Sequence, residues 1–118
     1  MRIFYKKRAL EVDVKSVSIL GKAIGLMFKR KSTDVLLFNF HAKAKRGIHS
    51  LFVFFPFIAV WLDDKNKVIE IRVVKPFTFS VVPSKKFVKL IEIPFNRENK
   101  RLAVFLVGKK ETFKYTFD

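Results

Sequence analysis

The segment that most limits what this chain can fold into is its longest uncharged run, "GIHSLFVFFPFIAVWL" (residues 47–62), set in a sequence otherwise studded with lysine. A helix through it would rise about 24 Å at 1.5 Å per residue, short of a hydrocarbon core of about 30 Å. Pro56 would fall in its middle and remove a backbone hydrogen bond. Arg46 precedes the run and Asp63-Asp64 follow it. β-Branched and aromatic residues dominate, as strands prefer. The reading is two short strands, 48–55 and 57–62, with Pro56 at a bend. Being apolar on both faces, they belong at the centre of a covered sheet. Phe52, Phe54, Phe55, Phe57 and Trp61 are assigned to the core, and membrane insertion is not expected.

The flanking sequence builds out that sheet. "DDKN" (63–66) has turn composition, and "KVIEIRVV" after it alternates, Ile69, Ile71 and Val73 against Glu70 and Arg72. This predicts a hairpin of 57–62 with 68–74. "ALEVDV" (9–14), "VLLFNF" (35–40) and "FVKLIEIP" (87–94) read as further strands. "RLAVFLV" and "ETFKYTF" flank "GKK" (108–110) and predict a second hairpin. In "KSVSILGKAIGLMF", apolar residues at 17, 20 and 24 and at 19, 23 and 26 have helical spacing, with Ser16 or Ser18 as N-cap and Gly25 as C-cap. The fold class is mainly β: a small closed barrel or jelly-roll-like sandwich, one domain over residues 1–118, with one short α-helix near 17–24. The mobile loop is placed at "HAKAKRG" (41–47).

The order of these pieces resembles the family known as domain of unknown function 192. The resemblance runs from about Glu11 to Pro94 and rests on "GLMFKR" (25–30), "FVFFPFIAVWLD" (52–63), "VIEI" (68–71) and "IEIP" (91–94). Many relatives carry a Trp-Met-x-Asn-Thr segment where this chain has "GIHS"; His49 is the archaeal-looking choice. Relatives often place an Asp inside the stretch occupied here by "FIAVW", whereas Asp63 matches their terminal Asp. The resemblance implies a compact β fold with a small helix, near jelly rolls, and no established activity, substrate or catalytic residue.

Composition bears on partners. The chain has 25 Lys+Arg against 10 Asp+Glu, a formal charge of +15, which favours nucleic acid or another polyanion. A solvated basic surface is the plain alternative. With no cysteine, thiol chemistry, disulfides and cysteine-held zinc are excluded. Absent Gln, scarce Met and abundant Lys fit a heat-adapted source. No secretory signal is read, because Glu11, Asp13 and Lys15 interrupt any apolar stretch after the basic start; the expected location is the cytoplasm.

Candidate chemistry is sparse. His49 and Ser50 are neighbours on a strand and point to opposite faces, so they cannot form a dyad. The potential metal ligands His41, His49, Asp63, Asp64 and Asp34 have no diagnostic spacing, and neither metal nor cofactor is expected. Asp63-Asp64 is assigned to capping a turn rather than to glycoside hydrolysis. "RGIHSLFVF" begins like an RNA-recognition motif, but Ile48 and Ser50 replace its stacking aromatics. Two candidate sites remain. Met27, Phe28 and Arg30 with His49 form a ligand set at the end of the sheet. Lys29, Arg30, Lys31, Lys43, Lys45 and Arg46 form an anion-binding patch. The preferred function is non-enzymatic binding of a small or anionic ligand. Electrostatic nucleic-acid binding and hydrolysis of a carbohydrate or phosphorylated substrate are the alternatives, and the protein is expected as a monomer or weak homo-oligomer.

Overall fold

The computed structural model describes residues 1–17, 34–44, 53–78 and 81–115. Its elements in chain order are β1 (Arg2–Tyr5), β2 (Arg8–Glu11), β3 (Lys15–Ser16), β4 (Leu36–Ala44), β5 (Phe57–Leu62), β6 (Val68–Val74), β7 (Phe87–Pro94) and α1 (Lys100–Tyr115). Strands β3 to β7 form one five-stranded sheet, ordered β3-β4-β7-β5-β6; β1 and β2 form a separate antiparallel ribbon. The protein is mainly β. The sheet is open among the described residues, so the sandwich-like expectation fits and a closed barrel is not confirmed.

The apolar run supplies β5, where all six residues of "FIAVWL" are buried. Strand β5 lies between β7 and β6, with Ile58 opposite Ile93 and Val73, and Val60 opposite Ile91 and Ile71. Residues directly opposite each other share a face. One face therefore carries Phe57, Ala59 and Trp61 with Leu36, Phe38, Leu90 and Val74, covered by Val53 and Phe55. The other carries Ile58, Val60 and Leu62 with Ile91 and Ile93, covered by Ile3 and Val12 of the ribbon segment and by Ala103 and Leu106 of α1. At about 1.5–3 kcal/mol for each large apolar side chain buried, this two-sided burial makes β5 and β7 the spine of the fold.

The predicted hairpin 57–62 with 68–74 is present, as is the strand 87–94. Asp63 organises the turn, its Oδ1 accepting from the backbone N–H of Lys65 and Lys67 at 2.9 Å each, which is the capping role expected of it. A bulge between Trp61 and Leu62 alters one detail. Ile69 is the residue skipped in the pairing, and it packs with the Trp61 face while Ile71 and Val73 pack on the other.

Several expectations are corrected. The second hairpin is a helix: 100–115 is α1, with Leu102, Ala103, Phe105, Leu106 and Val107 at three- and four-residue spacing against the sheet. A short apolar run such as "RLAVFLV" fits either period, and the alternation in "ETFKYTF" is fortuitous. Phe113 is exposed, while Tyr115 packs on Phe95 with ring centroids 5.2 Å apart. Gly108, read as a turn glycine, instead divides α1 with φ 88° and ψ 167°, and Thr112 Oγ1 donates to its carbonyl at 2.8 Å. Residues 53–55 of the expected strand 48–55 are not strand, and Phe54 is exposed rather than core. The first four residues of the expected loop 41–47 continue β4 past an irregularity, where His41 has φ 59° and its N–H donates to Asn39 Oδ1. The expected helix at 17–24 lies outside the described residues apart from Val17.

Gly108 sits in a backbone region open to glycine almost alone, while a methyl group added at its Cα would meet nothing within 4 Å. Gly108→Ala should therefore cost about 1–3 kcal/mol through conformation only, read as a lower urea midpoint at unchanged slope. A variant as stable as the parent would mean that α1 can run straight through residue 108.

Candidate functional site

Two features of the described structure could carry chemistry, one on each side of the sheet. The first is a cleft of about 790 Å³ between the ribbon, the entrance to β4 and the first half of α1. Its volume lies within the range of small-molecule sites. Leu10, Val12, Val35, Leu102, Val104 and Phe105 give it apolar walls. Glu11, Asp13, Asp34 and Glu98 line it together with Arg8 and Arg101. Four of the chain's ten acidic residues are thus gathered at one place on a molecule of charge +15.

Local structure explains the gathering. Strands β3 and β4 run parallel, with Lys15 beside Leu36 and the Lys15 N–H donating to the Val35 carbonyl at 2.8 Å. Asp13 and Asp34 stand two residues before Lys15 and Leu36, ahead of the two strands, and both exposed residues line the cleft. Neither forms an ion pair among the described residues, whereas Glu11 is held by the N-terminal ammonium at 3.3 Å and by Arg2 Nε at 3.4 Å. On the opposite wall, Asn96 Oδ1 accepts from the Asn99 N–H at 2.9 Å, and Asn99 Nδ2 donates to the Pro94 carbonyl at 3.0 Å. These bonds fix the start of α1 against the end of β7. Arg8 lies over the Phe105 ring, its Cζ 5.6 Å from the centroid, so the wall already hosts a cation on an aromatic face.

The second feature is Glu92, on the Trp61 face. It is opposite Leu36 and Ala59, which places a carboxyl group inside an apolar cluster. It is 7 % exposed, and burial pushes its pKa up to about 8. No hydrogen bond or ion pair to it is found among the described residues. Trp61 is diagonal to it across β5 and β7, and the buried Trp61 Nε1 has no hydrogen-bond partner among the described residues. Toward the sheet edge, Glu70 Oε1 accepts from Ser84 N and Oγ at 2.8 and 2.7 Å, and its Oε2 lies 2.8 Å from Arg72 Nε. Burial works against the Glu70 charge, but the Ser84 hydrogen bonds and the Arg72 guanidinium outweigh it and hold that carboxyl below its usual range.

The sequence-predicted residues are not brought together in the described structure. Met27, Phe28, Lys29, Arg30, Lys31, Lys45, Arg46 and His49 lie outside the described residues, and Lys43 is described only as backbone in β4. Of the five metal candidates, Asp34 lines the cleft, His41 is exposed in β4, and Asp63 serves the hairpin turn. No group of three or more His, Asp or Glu side chains suited to a metal is found among the described residues. Likewise no described helix is long and apolar enough to cross a membrane. Sequence reasoning missed Glu92 although its signal was present: a single acid inside "LIEIPF", a run that a central strand buries on both faces.

Comparison with known proteins now decides the family. The family model described as Uncharacterized ACR, DUF192, matches residues 5–101. The chain belongs to the domain of unknown function 192 family. The family match covers the ribbon's second half, the whole sheet and the start of α1, and so includes Glu92 and the cleft lining up to Arg101. Solved structures share the fold. A candidate transcription regulator from Sinorhizobium meliloti aligns with a TM-score of 0.68 and 16% identity, over 79% of this chain and 76% of its own. A protein of unknown function from Novosphingobium aromaticivorans aligns at 0.70 and 13% identity, over 87% and 76%. At such identities the likeness is one of fold. No curated protein is significantly similar to the chain.

Glu92 generates a pH prediction. Its folded pKa is raised from the ordinary 4.5 to about 8, so the folded state holds a proton that the unfolded state has released. Stability contributed by this group is intact below pH 4.5 and falls by about 1.4 kcal/mol per pH unit until about pH 8. Glu92→Gln should remove that decline. Urea unfolding of both proteins at about pH 5, 7 and 9 should therefore show the variant gaining on the parent as pH rises; parallel curves would place an ionised Glu92 in the folded protein.

Proposed function

We propose that this member of the family is a non-enzymatic binding domain and that the cleft between the ribbon and α1 receives a small ligand. The observation that carries this is the cleft itself: about 790 Å³, apolar on its walls and charged on its rim. Four acidic residues against two arginines make the lining net negative, so a small amphipathic ligand bearing an ammonium or similar cation fits it better than an anion. Binding is favoured over hydrolysis by the geometry of the acids. Glu92, a carboxyl whose pKa burial pushes up to about 8, faces the opposite side of the sheet from the cleft carboxylates and cannot act with them as an acid–base pair.

A second reading draws on the net charge of +15. In it, the protein holds a polyanion electrostatically, with Lys29, Arg30, Lys31, Lys43, Lys45 and Arg46 as contacts and with Met27, Phe28, Arg30 and His49 as the neighbouring set for an anionic group. Such binding weakens linearly in logarithmic salt.

The cleft reading is tested with Val104→Trp, which adds bulk at a half-buried lining position outside the buried core. A panel of small amphipathic amines and amino acids should include compounds that raise the parent's melting temperature, by about 2.7 kcal/mol of added stability at a hundredfold excess over Kd. The variant should melt as the parent does without ligand and lose that response. Equal responses in both proteins, or none in the parent, would remove the cleft as the site.

A further inference from the structure

Two aromatic rings join the ribbon to α1. Tyr5, the last residue of β1, meets Phe105 of α1 edge to face, with centroids 6.0 Å apart and planes at 71°. Both are half-buried and pack against the core cluster on this side of the sheet. The Phe105 ring is therefore held in place by the core and by Tyr5. Over it stands the Arg8 guanidinium, with Cζ 5.6 Å from the centroid. Lys6 over Tyr5, Lys100 over Phe113 and Lys114 over Tyr115 are contacts of the same kind, but none of those residues lines the cleft. Arg8 and Phe105 both do.

The charge on Arg8 has no carboxylate partner. It forms no ion pair among the described residues, although four acidic residues line the same cleft. Glu11, at the other end of β2, is taken by the N-terminal ammonium and Arg2. What holds the guanidinium in the cleft is the ring. That contact is exchangeable on the Arg8 side alone. Arg8 is exposed at the start of β2, on a long rotatable stem, whereas Phe105 is anchored in a helix against the core.

We propose that Arg8 fills the position of the ligand's own cation, so that the cleft is self-occupied until a ligand bearing a guanidinium on an apolar stem displaces it. The inference rests on the cleft reading and adds the ligand's recognition group and its regulation. Arg8 itself is the template: a flat, weakly hydrated cation that stacks on an aromatic face more readily than an ammonium does. The ligand's stem has Leu10, Leu102 and Val104 to lie against. Self-occupancy also sets a scale. An exposed cation–π contact keeps Arg8 on the ring about two to five times as often as off it. The ligand's apparent affinity then falls by the fraction of ring left free, about three- to sixfold.

The test is calorimetric titration with hexylguanidine, hexylamine and hexanol. It uses the parent, Arg8→Met and Arg101→Met, and the same two substitutions in Phe105→Leu. Methionine keeps most of the apolar stem and removes the charge. Arg101 lines the cleft without a ring contact among the described residues, so its variant measures what cleft charge alone contributes. The parent should rank hexylguanidine above hexylamine and hexylamine above hexanol. Arg8→Met should tighten hexylguanidine about three- to sixfold more than Arg101→Met does, and Phe105→Leu should erase that difference. A second readout needs no variant: the Arg8 side-chain proton resonances, shifted upfield by the ring, should return to ordinary positions as hexylguanidine saturates the parent. Saturation that leaves those resonances in place, equal effects of the two arginine variants, or weaker binding by Arg8→Met would overturn the exchange and leave the cleft reading standing. Binding that Val104→Trp does not diminish, or no binding of any probe by the parent and by Arg8→Met, would overturn both.

Discussion

Everything in this fold answers to the burial of β5 on both of its faces. A six-residue strand with no side chain in water cannot sit at an edge, and it cannot belong to a single layer with one wet side. The pairings follow: β7 and β6 flank it, and β4 then adds to β7. Two different covers are also required. The ribbon segment and α1 close over Ile58, Val60 and Leu62, and Val53 and Phe55 lie over Phe57, Ala59 and Trp61. Removing the apolar requirement at β5 would leave neither cover with a reason to dock.

The cleft is a consequence of how the first cover is assembled. Ribbon and helix come from opposite ends of the chain, and each presents its own narrow apolar stripe to the sheet. Two such elements meeting over a flat surface leave a seam between them. Here the seam is edged by the turn into α1 and by the parallel pairing of β3 with β4, which are held by backbone bonds and by the Asn96–Asn99–Pro94 chain. Its walls are rigid because they belong to the same contacts that seal the core. Asp13 and Asp34, just ahead of β3 and β4, both line the cleft.

How far the sequence could be read depended on whether the decisive interaction was local. The hairpin of β5 and β6 was legible because its turn and its two strands carry their own signals, and "FVKLIEIP" was legible because a proline closes it. The β1–β2 ribbon was not. Its turn places Lys6 and Lys7 at φ 50° and 63°, both in the region where Asn-Gly would have announced a hairpin. Two lysines there gave no such sign. Helix α1 was misread for the converse reason: its apolar residues fit both periods, and only the sheet beneath selects one. The cleft was invisible because its lining comes from three segments far apart in sequence, each unremarkable alone. Phe54 was placed in the core by the company it keeps in the chain, while the structure turns its neighbours Val53 and Phe55 inward and leaves it out.

The second cover contains the feature that packing alone does not explain. On the Trp61 face, an apolar side chain at position 92 would complete the cluster of Leu36, Ala59, Trp61 and Leu90, yet a glutamate stands there, with Trp61 Nε1, which has no hydrogen-bond partner among the described residues, diagonal to it. An unmade buried hydrogen bond costs about 1–3 kcal/mol, and a carboxyl buried here is tolerated by keeping its proton. A neutral carboxyl is a donor as well as an acceptor, and its proton would be lost if Glu92 were opened to water. The two strands that bear this face, β5 and β7, contain parts of two stretches that carry the family resemblance, "FVFFPFIAVWLD" and "IEIP". The cleft, by contrast, is lined by the ribbon segment, the entrance to β4 and the approach to and first half of α1, with no residue of β5 or β7, so cleft and carboxyl are built from different parts of the fold.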